Sequence, residues 1–233
     1  DGGAILIPAF SIGRTQELLY EFEQIWHQHA SSKDTDFPEI VIDSPMANKV
    51  TDIYQHHEAL WDATSRSRQA HGRHPLDFSH AHPVDEHSLH LALVNRLKST
   101  AEPVIVIAGS GMCTGGRIIN YLDALIEDPR TDILFVGYQA QGTLGEQIQR
   151  AAAGDVVTIN QQKRKVNAQV YSLTGYSAHA DQDELLAFIG NAEFPVQAVR
   201  LVHGSAPAQH TLAERIRQQF SIPVTITVAT EKP

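Results

Sequence analysis

The stretch VIVIAGSGMCTGGR, residues 104–117, joins a wholly apolar run to a glycine-rich loop that ends in an arginine. The apolar run 104–108, which Pro103 introduces and Gly109 ends, predicts a short buried strand. A helix is predicted to follow over residues 117–125. A glycine-rich turn between a buried strand and a helix can present backbone N–H groups to a phosphate.

The same alternation of apolar strands and helices extends along the chain on both sides of this stretch. Further buried strands are predicted at residues 4–10, 40–42 and 133–137, and helices at 14–29, 45–61, 87–98 and 145–153. This order predicts an α/β fold with a doubly wound, mostly parallel sheet. Such sheets bind ligands at the carboxyl ends of their strands, where the unusual loops lie. Those loops are 10–14, 44–47, 109–111 and 137–139.

The pattern changes after about residue 155. Shorter strands are predicted at 156–159 and 168–173, separated by a basic turn at 163–165. The remaining elements are predicted as a helix from Asp181, a strand at 198–202, a helix at 207–220 and a strand at 224–228. Asp181 and Glu184 have the spacing of a helix capping box. Residues 62–86 are polar and are predicted to form an irregular surface excursion.

Composition excludes several classes of protein. The chain has 233 residues, which suits one large domain or two small ones, and its net charge of −9 argues against a surface coated for nucleic-acid binding. A local phosphate site built from backbone N–H groups and a few arginines remains compatible with that charge. Cys113 is the only cysteine, which excludes a disulfide framework and predicts a cytoplasmic location. No apolar run approaches 18 residues, so no membrane span is expected.

The glycine-rich loop is a near miss to two nucleotide-binding motifs. Gly111 and Gly116 have the P-loop spacing, but Arg117 and Ile118 replace the lysine and the magnesium-binding hydroxyl residue. Thr114 replaces the third glycine of the dinucleotide-binding fingerprint. The loop can be a tight turn that needs its glycines for positive φ, or a phosphate-contacting loop. The arginine that follows directly favours phosphate contact.

Three of the histidine-containing stretches are candidates for chemistry, and most of the other histidines, which lie between His27 and His90, are interpreted as solvated surface residues. The run from His80 to His87 resembles a metal-binding cluster with the wrong spacing, and capping of the next helix explains its acidic residues. His179 lies in a turn of small residues between a strand and a helix. His203 ends a predicted buried strand and precedes Gly204, a position that suits a zinc ligand. Taken singly, a histidine at such a position more often has a structural role than a functional one. Only one predicted helix lies between the two turns, so both histidines can lie at the same edge of a sheet.

Taken in order, these motifs resemble the β-CASP group of metallo-β-lactamase-fold nucleases, which includes RNase J, bacterial RNA-degrading enzymes and the pre-mRNA 3′-end cleavage endonuclease. The matching pieces are residues 8–17, 43–47, 109–112, 115–117, 137–139, 142–144, 177–181 and 202–204. The resemblance implies that residues 1–172 are a β-CASP cap domain. Residues 173–233 would then be the C-terminal segment of a metallo-β-lactamase αββα fold. The start on Asp1, directly before a strand, is interpreted as the beginning of a piece whose N-terminal part is absent.

The resemblance also implies the site. His179 matches a catalytic histidine, and His203 matches a zinc ligand. A complete site would hold two zinc ions, so this chain alone is expected to be metal-free and inactive. The residues expected to contact RNA phosphates are Arg14, Ser44, Gly109, Ser110, Gly111, Gly115, Gly116 and Arg117. Ser205 stands where relatives often have glutamate.

Alternatives to the implied function remain. The resemblance predicts a ribonuclease of RNA processing or decay, with RNA as the partner, no membrane, and a homodimer among the assemblies it allows. The same group includes non-catalytic subunits that act as scaffolds or bind RNA, and DNA-processing relatives. An upstream H-x-H-x-D-H cluster would discriminate between the catalytic and the scaffold reading.

Overall fold

The computed structural model describes residues 2–30, 37–100, 102–173, 175–176 and 179–227. The chain divides into two compact units, Asp1–Tyr176 and Ser177–Pro233. Among the described residues of the first unit, eight strands are present, which we number in chain order. They are β1 (Ala4–Pro8), β2 (Glu39–Asp43), β3 (Ala81–Pro83), β4 (Val104–Ala108), β5 (Asp132–Phe135), β6 (Val156–Ile159), β7 (Gln162–Lys165) and β8 (Gln169–Ser172).

Helices connect these strands. They are α1 (Arg14–Ala30), α2 (Pro45–His56), α3 (Ala63–Ala70), α4 (His87–Thr100), α5 (Ile118–Leu125) and α6 (Leu144–Arg150), with a short 3₁₀ turn at Glu58–Leu60. Within the described residues, six strands form one sheet in the order β3-β2-β4-β1-β5-β8. Every pairing in this sheet is parallel. The predicted α/β fold with a parallel, doubly wound sheet is therefore confirmed.

The central strands are apolar along their whole length because helices cover both faces of the sheet. All five residues of β4 are buried. On one face, Leu6 and Val106 pack with Tyr121 and Leu122 of α5, and on the other, Ile7 and Ile107 pack with Leu18 of α1. The two packed layers hold the carboxyl ends of β1 and β4 side by side.

Two parts of the chain differ from their predictions. The segment predicted as an irregular excursion contains α3 and the edge strand β3, which pairs with β2. The residues predicted as a basic turn form strand β7, which pairs antiparallel with β6. The turn of that hairpin is instead at Asn160 and Gln161, whose φ values of 49° and 64° are typical of the tight turns that join antiparallel strands.

Cys113 is buried in the first unit. Burial raises the pKa of its thiol to about 12, so the group stays protonated at neutral pH. Within the ranges that the structure describes, no helix is both long and apolar enough to cross a bilayer.

The second unit contains α7 (Gln182–Gly190), β9 (Val199–Leu201), α8 (Ala206–Phe220) and β10 (Val224–Ile226). Strands β9 and β10 pair in parallel, and Leu186, Ala213, Ile216 and Val224 form the buried core. The predicted capping box of Asp181 and Glu184 at the start of α7 is confirmed. Ser205 caps α8 by accepting a hydrogen bond from the Ala208 N–H. The serine at the position where relatives often have glutamate is therefore a residue type that suits a helix cap.

Candidate functional site

The loops singled out in the sequence lie together at the carboxyl edge of the main sheet, because its strands are parallel. The loops after β1, β2 and β4 lead into helices α1, α2 and α5, so these helices begin at that edge. The N-terminus of a helix carries a partial positive charge and N–H groups without an intrahelical acceptor. The edge therefore has a positive backbone potential although the chain as a whole is acidic.

The glycine-rich loop at this edge is closed on itself. The N–H of Ser110 donates to the carbonyl of Gly115 at 3.1 Å, and the N–H of Ile118 donates to the carbonyl of Gly109 at 3.0 Å. Gly116 has a φ of 76°, and a Cβ at this position would lie 2.4 Å from the Gly109 oxygen. At Gly115, in contrast, a Cβ would have nothing within 4 Å. Gly116 is thus required for loop closure, whereas Gly115 has room for a side chain.

Replacing Gly116 by alanine should destabilise the protein by roughly 2–4 kcal/mol, since the methyl group adds left-handed strain and a clash with backbone. Chemical denaturation followed by circular dichroism measures this loss. Gly115→Ala is the matched control and should change the free energy of unfolding by less than about 1 kcal/mol. Equal stability of the two variants would contradict the division of roles between these glycines.

Two further predicted phosphate contacts have defined surroundings. The side chain of Ser44 caps α2 by accepting from the Ala47 N–H at 3.3 Å, and it lies 3.0 Å from the hydroxyl of Ser11. A Cβ on Gly109 would be 3.6 Å from both hydroxyl oxygens, so the loops after β1, β2 and β4 meet at this point. The guanidinium of Arg14 lies 5.5 Å from the ring centroid of Tyr176 and pairs with Glu17.

A buried polar network lies directly beneath the glycine loop. Asp43, the last residue of β2, has one carboxylate oxygen 2.6 Å from Nη1 of Arg117. Its other oxygen accepts from Nδ1 of His90 at 2.6 Å and from the hydroxyl of Tyr121. Nε2 of His90 in turn accepts from the Asn120 amide at 2.8 Å. Asp43, His90 and Tyr121 are fully buried.

This network attaches the glycine loop to the sheet. Burial, followed by the hydrogen bond to Asp43, raises the pKa of Tyr121 far above its usual value, so the phenol remains a donor. The guanidinium of Arg117 also donates to the carbonyls of Val84 and Asp85. Arg117 therefore has a structural role that the sequence did not indicate, and its direct contact with phosphate stays a prediction.

Neither His90 nor Tyr121 was singled out in the sequence, because nothing in their local pattern distinguishes them from other helix residues.

His203 has an unusual backbone conformation in the second unit. It lies two residues beyond the end of β9 with a φ of 68°, and Gly204 follows with a φ of 92°. Left-handed conformations are uncommon for residues other than glycine and tend to occur at functional sites. The turn is held because Nε2 of Gln209 donates to the His203 carbonyl at 2.8 Å. The exposed imidazole is thus presented from an anchored turn at a strand end.

His179 is also exposed in the second unit and lies two residues before Asp181, the cap of α7. Ser177 and Ala178, which complete its motif, lie outside the described residues.

Across the described ranges, no three or more His, Cys, Asp or Glu side chains form a group that could hold a metal ion. This finding includes the run from His80 to His87. The His203 imidazole is a type of donor that suits zinc, and its role as a ligand stays a prediction.

Comparison with known proteins agrees with this architecture. Residues 15–148 match the family model of the Beta-Casp domain. Residues 163–227 match a model described as a Zn-dependent metallo-hydrolase RNA specificity domain. The chain therefore belongs to the β-CASP family of metallo-β-lactamase-fold proteins.

Its relatives include a ribonuclease from Thermus thermophilus, 36% identical over 203 residues, with 87% of this chain and 43% of the relative covered. The transcription termination factor FttA from Pyrococcus abyssi is 33% identical over 229 residues, with coverages of 95% and 33%. FttA from Thermococcus kodakarensis is 30% identical over 226 residues, again with coverages of 95% and 33%. This chain thus spans between one third and just over two fifths of the length of these relatives.

Proposed function

We propose that this chain is the RNA-binding and site-completing part of a zinc-dependent phosphodiesterase that hydrolyses RNA. The observation that carries the RNA-binding part is the convergence of the glycine loop with the starts of α1, α2 and α5 at one edge of the sheet. Backbone N–H groups at helix starts bind phosphate without requiring many basic side chains. This explains how a protein with a net charge of −9 could bind a polyanion. The names of the family model and of the Thermus thermophilus relative support RNA as the substrate.

In the proposed enzyme the two histidines have different roles. His203 would ligate zinc, because its neutral imidazole is a suitable donor and its turn orients the ring at a strand end. His179 would donate a hydrogen bond to the scissile phosphate or a proton to the leaving 3′-oxygen. The family pattern implies two zinc ions, which would supply Lewis-acid stabilisation and an activated water when bound. The domain boundary at residue 172 and a homodimer stay predictions.

A charge placed at the open glycine tests the phosphate-binding edge. Gly115→Asp should weaken binding of a single-stranded RNA oligonucleotide roughly tenfold or more, since a carboxylate would face the phosphate. Fluorescence anisotropy measures the affinity. The fold should be retained because a Cβ at Gly115 meets no atom within 4 Å.

The control for this experiment is Asn95→Asp, which adds the same charge on the exposed side of α4. Its RNA affinity should match that of the unmodified chain. If both variants weakened binding equally, only net charge would matter and the glycine loop would have no specific role. If the unmodified chain bound no RNA, the proposed function of the edge would be wrong.

A further inference from the structure

Two aromatic rings are exposed at the same edge as the glycine loop. Phe10 follows β1 and is 48% exposed, and Tyr138 follows β5 and is 71% exposed. Strands β1 and β5 are neighbours in the sheet, so the two rings follow adjacent strand ends. Aromatic rings exposed at neighbouring strand ends offer large flat faces to a partner.

Contacts connect the two loops that carry the rings. The side chain of Gln139, adjacent to Tyr138, is buried and donates from Nε2 to the Gly111 carbonyl at 2.8 Å. Gly111 packs against Phe10, because a Cβ at this glycine would lie 3.0 Å from Cδ2 of the ring. The backbone segments that carry Tyr138 and Phe10 are therefore connected through Gln139 and Gly111.

We propose that Tyr138 and Phe10 stack on the bases of single-stranded RNA whose phosphates contact the glycine loop, an inference that rests on the proposed function. Every base has an aromatic face, so this contact would select unpaired RNA without selecting its sequence. Duplex RNA would be excluded because its bases are already stacked and paired.

The helix starts of this edge, and not its apolar side chains, favour RNA over a protein partner, since Ile12 and Met46 are also exposed there. The edge that carries the rings also contains the glycine loop and the hydroxyl of Ser11, which lies 3.0 Å from the hydroxyl of the buried Ser44. Helix starts at the same edge provide positive potential. Stacking surfaces combined with a positive backbone groove are the features that sequence-independent binders of single strands share.

The test compares two ligands of equal charge and length, a single-stranded oligoribonucleotide and an abasic oligomer with the same phosphates. Tyr138→Ala should weaken binding of the oligoribonucleotide about 5- to 150-fold and leave binding of the abasic oligomer unchanged. Tyr138→Phe should retain the affinity because it keeps the ring. Tyr54→Ala removes a tyrosine that is 39% exposed on α2 and is the matched control, with no expected change.

The outcomes separate the two proposals. If the unmodified chain binds both ligands equally and Tyr138→Ala has no effect on either, phosphate binding stands and base stacking is wrong. If neither ligand binds, the proposed RNA-binding function fails. If Tyr138→Ala abolishes instead a protein–protein association seen by analytical ultracentrifugation, while RNA affinity is unchanged, the rings form a protein interface and the stacking proposal is overturned.

Discussion

Replacing Asp43 by alanine should destabilise the protein by roughly 3–5 kcal/mol, because the change leaves three buried or partly buried donors without their acceptor. Those donors are Nη1 of Arg117, Nδ1 of His90 and the hydroxyl of Tyr121. A native protein is stable by only about 5–15 kcal/mol, so the loss should be visible as a large fall in the urea midpoint. Asp43→Asn should have a smaller effect, since the amide oxygen still accepts one of these bonds.

The control for Asp43 is an exposed ion pair of the same unit. Glu102→Gln removes the pair between Glu102 and Arg96, in which both side chains are exposed, and should cost less than about 1 kcal/mol. If Asp43→Ala and Glu102→Gln destabilised the protein equally, the network beneath the glycine loop would not have the structural role argued above.

Replacing His203 by asparagine in the intact enzyme should reduce RNA hydrolysis by more than about 100-fold. Loss of a residue that only supports a metal ligand already costs about 10- to 100-fold, and His203 is proposed as a ligand itself. The same change should leave the stability of this chain equal or slightly higher. Asparagine adopts the left-handed conformation more readily than most residues, and φ is 68° at this position.

The measurements for His203 are zinc content by mass spectrometry, hydrolysis rate and thermal unfolding. His210→Asn, at an exposed histidine of α8, is the control and should retain zinc and activity. A His203→Asn enzyme that kept its zinc and its rate would show that this histidine is not a ligand. A variant that lost both by unfolding would show that the histidine has a structural role instead.

The sheet was predictable from the sequence because its central strands are uninterrupted apolar runs. Residues 104–108 are all apolar, as is typical of a strand that is buried on both faces of a parallel sheet. The edge strand β3 has no such signal: its sequence Ala81-His82-Pro83 is short and partly polar, and it forms because β2 offers an unpaired edge. Strand β7 is similar, since its basic residues are extended through pairing with β6 across the turn at Asn160. In both cases pairing partners distant from the local pattern decide the conformation.

The candidate site was predictable to a similar extent. The positions of the loops at one edge follow from the parallel topology, so Ser44 and Gly109 were expected to lie close together, and they do. The pairing of Arg117 with Asp43 was not predictable, because it joins residues that are 74 positions apart through a network whose other members are ordinary helix residues. The roles of Gly115 and Gly116 were also inseparable in the sequence, since only the folded loop shows which of them has room for a side chain.

The most direct test of the proposed function is cleavage of matched single-stranded RNA and DNA oligonucleotides by the intact enzyme, assayed before chelation, after chelation and after zinc is returned. We expect hydrolysis of RNA well above that of DNA, loss of activity on chelation and recovery with zinc. Preferential cleavage of DNA would indicate a DNA-processing enzyme. Binding of RNA without cleavage of either substrate in the presence of zinc would contradict the account and indicate a non-catalytic scaffold.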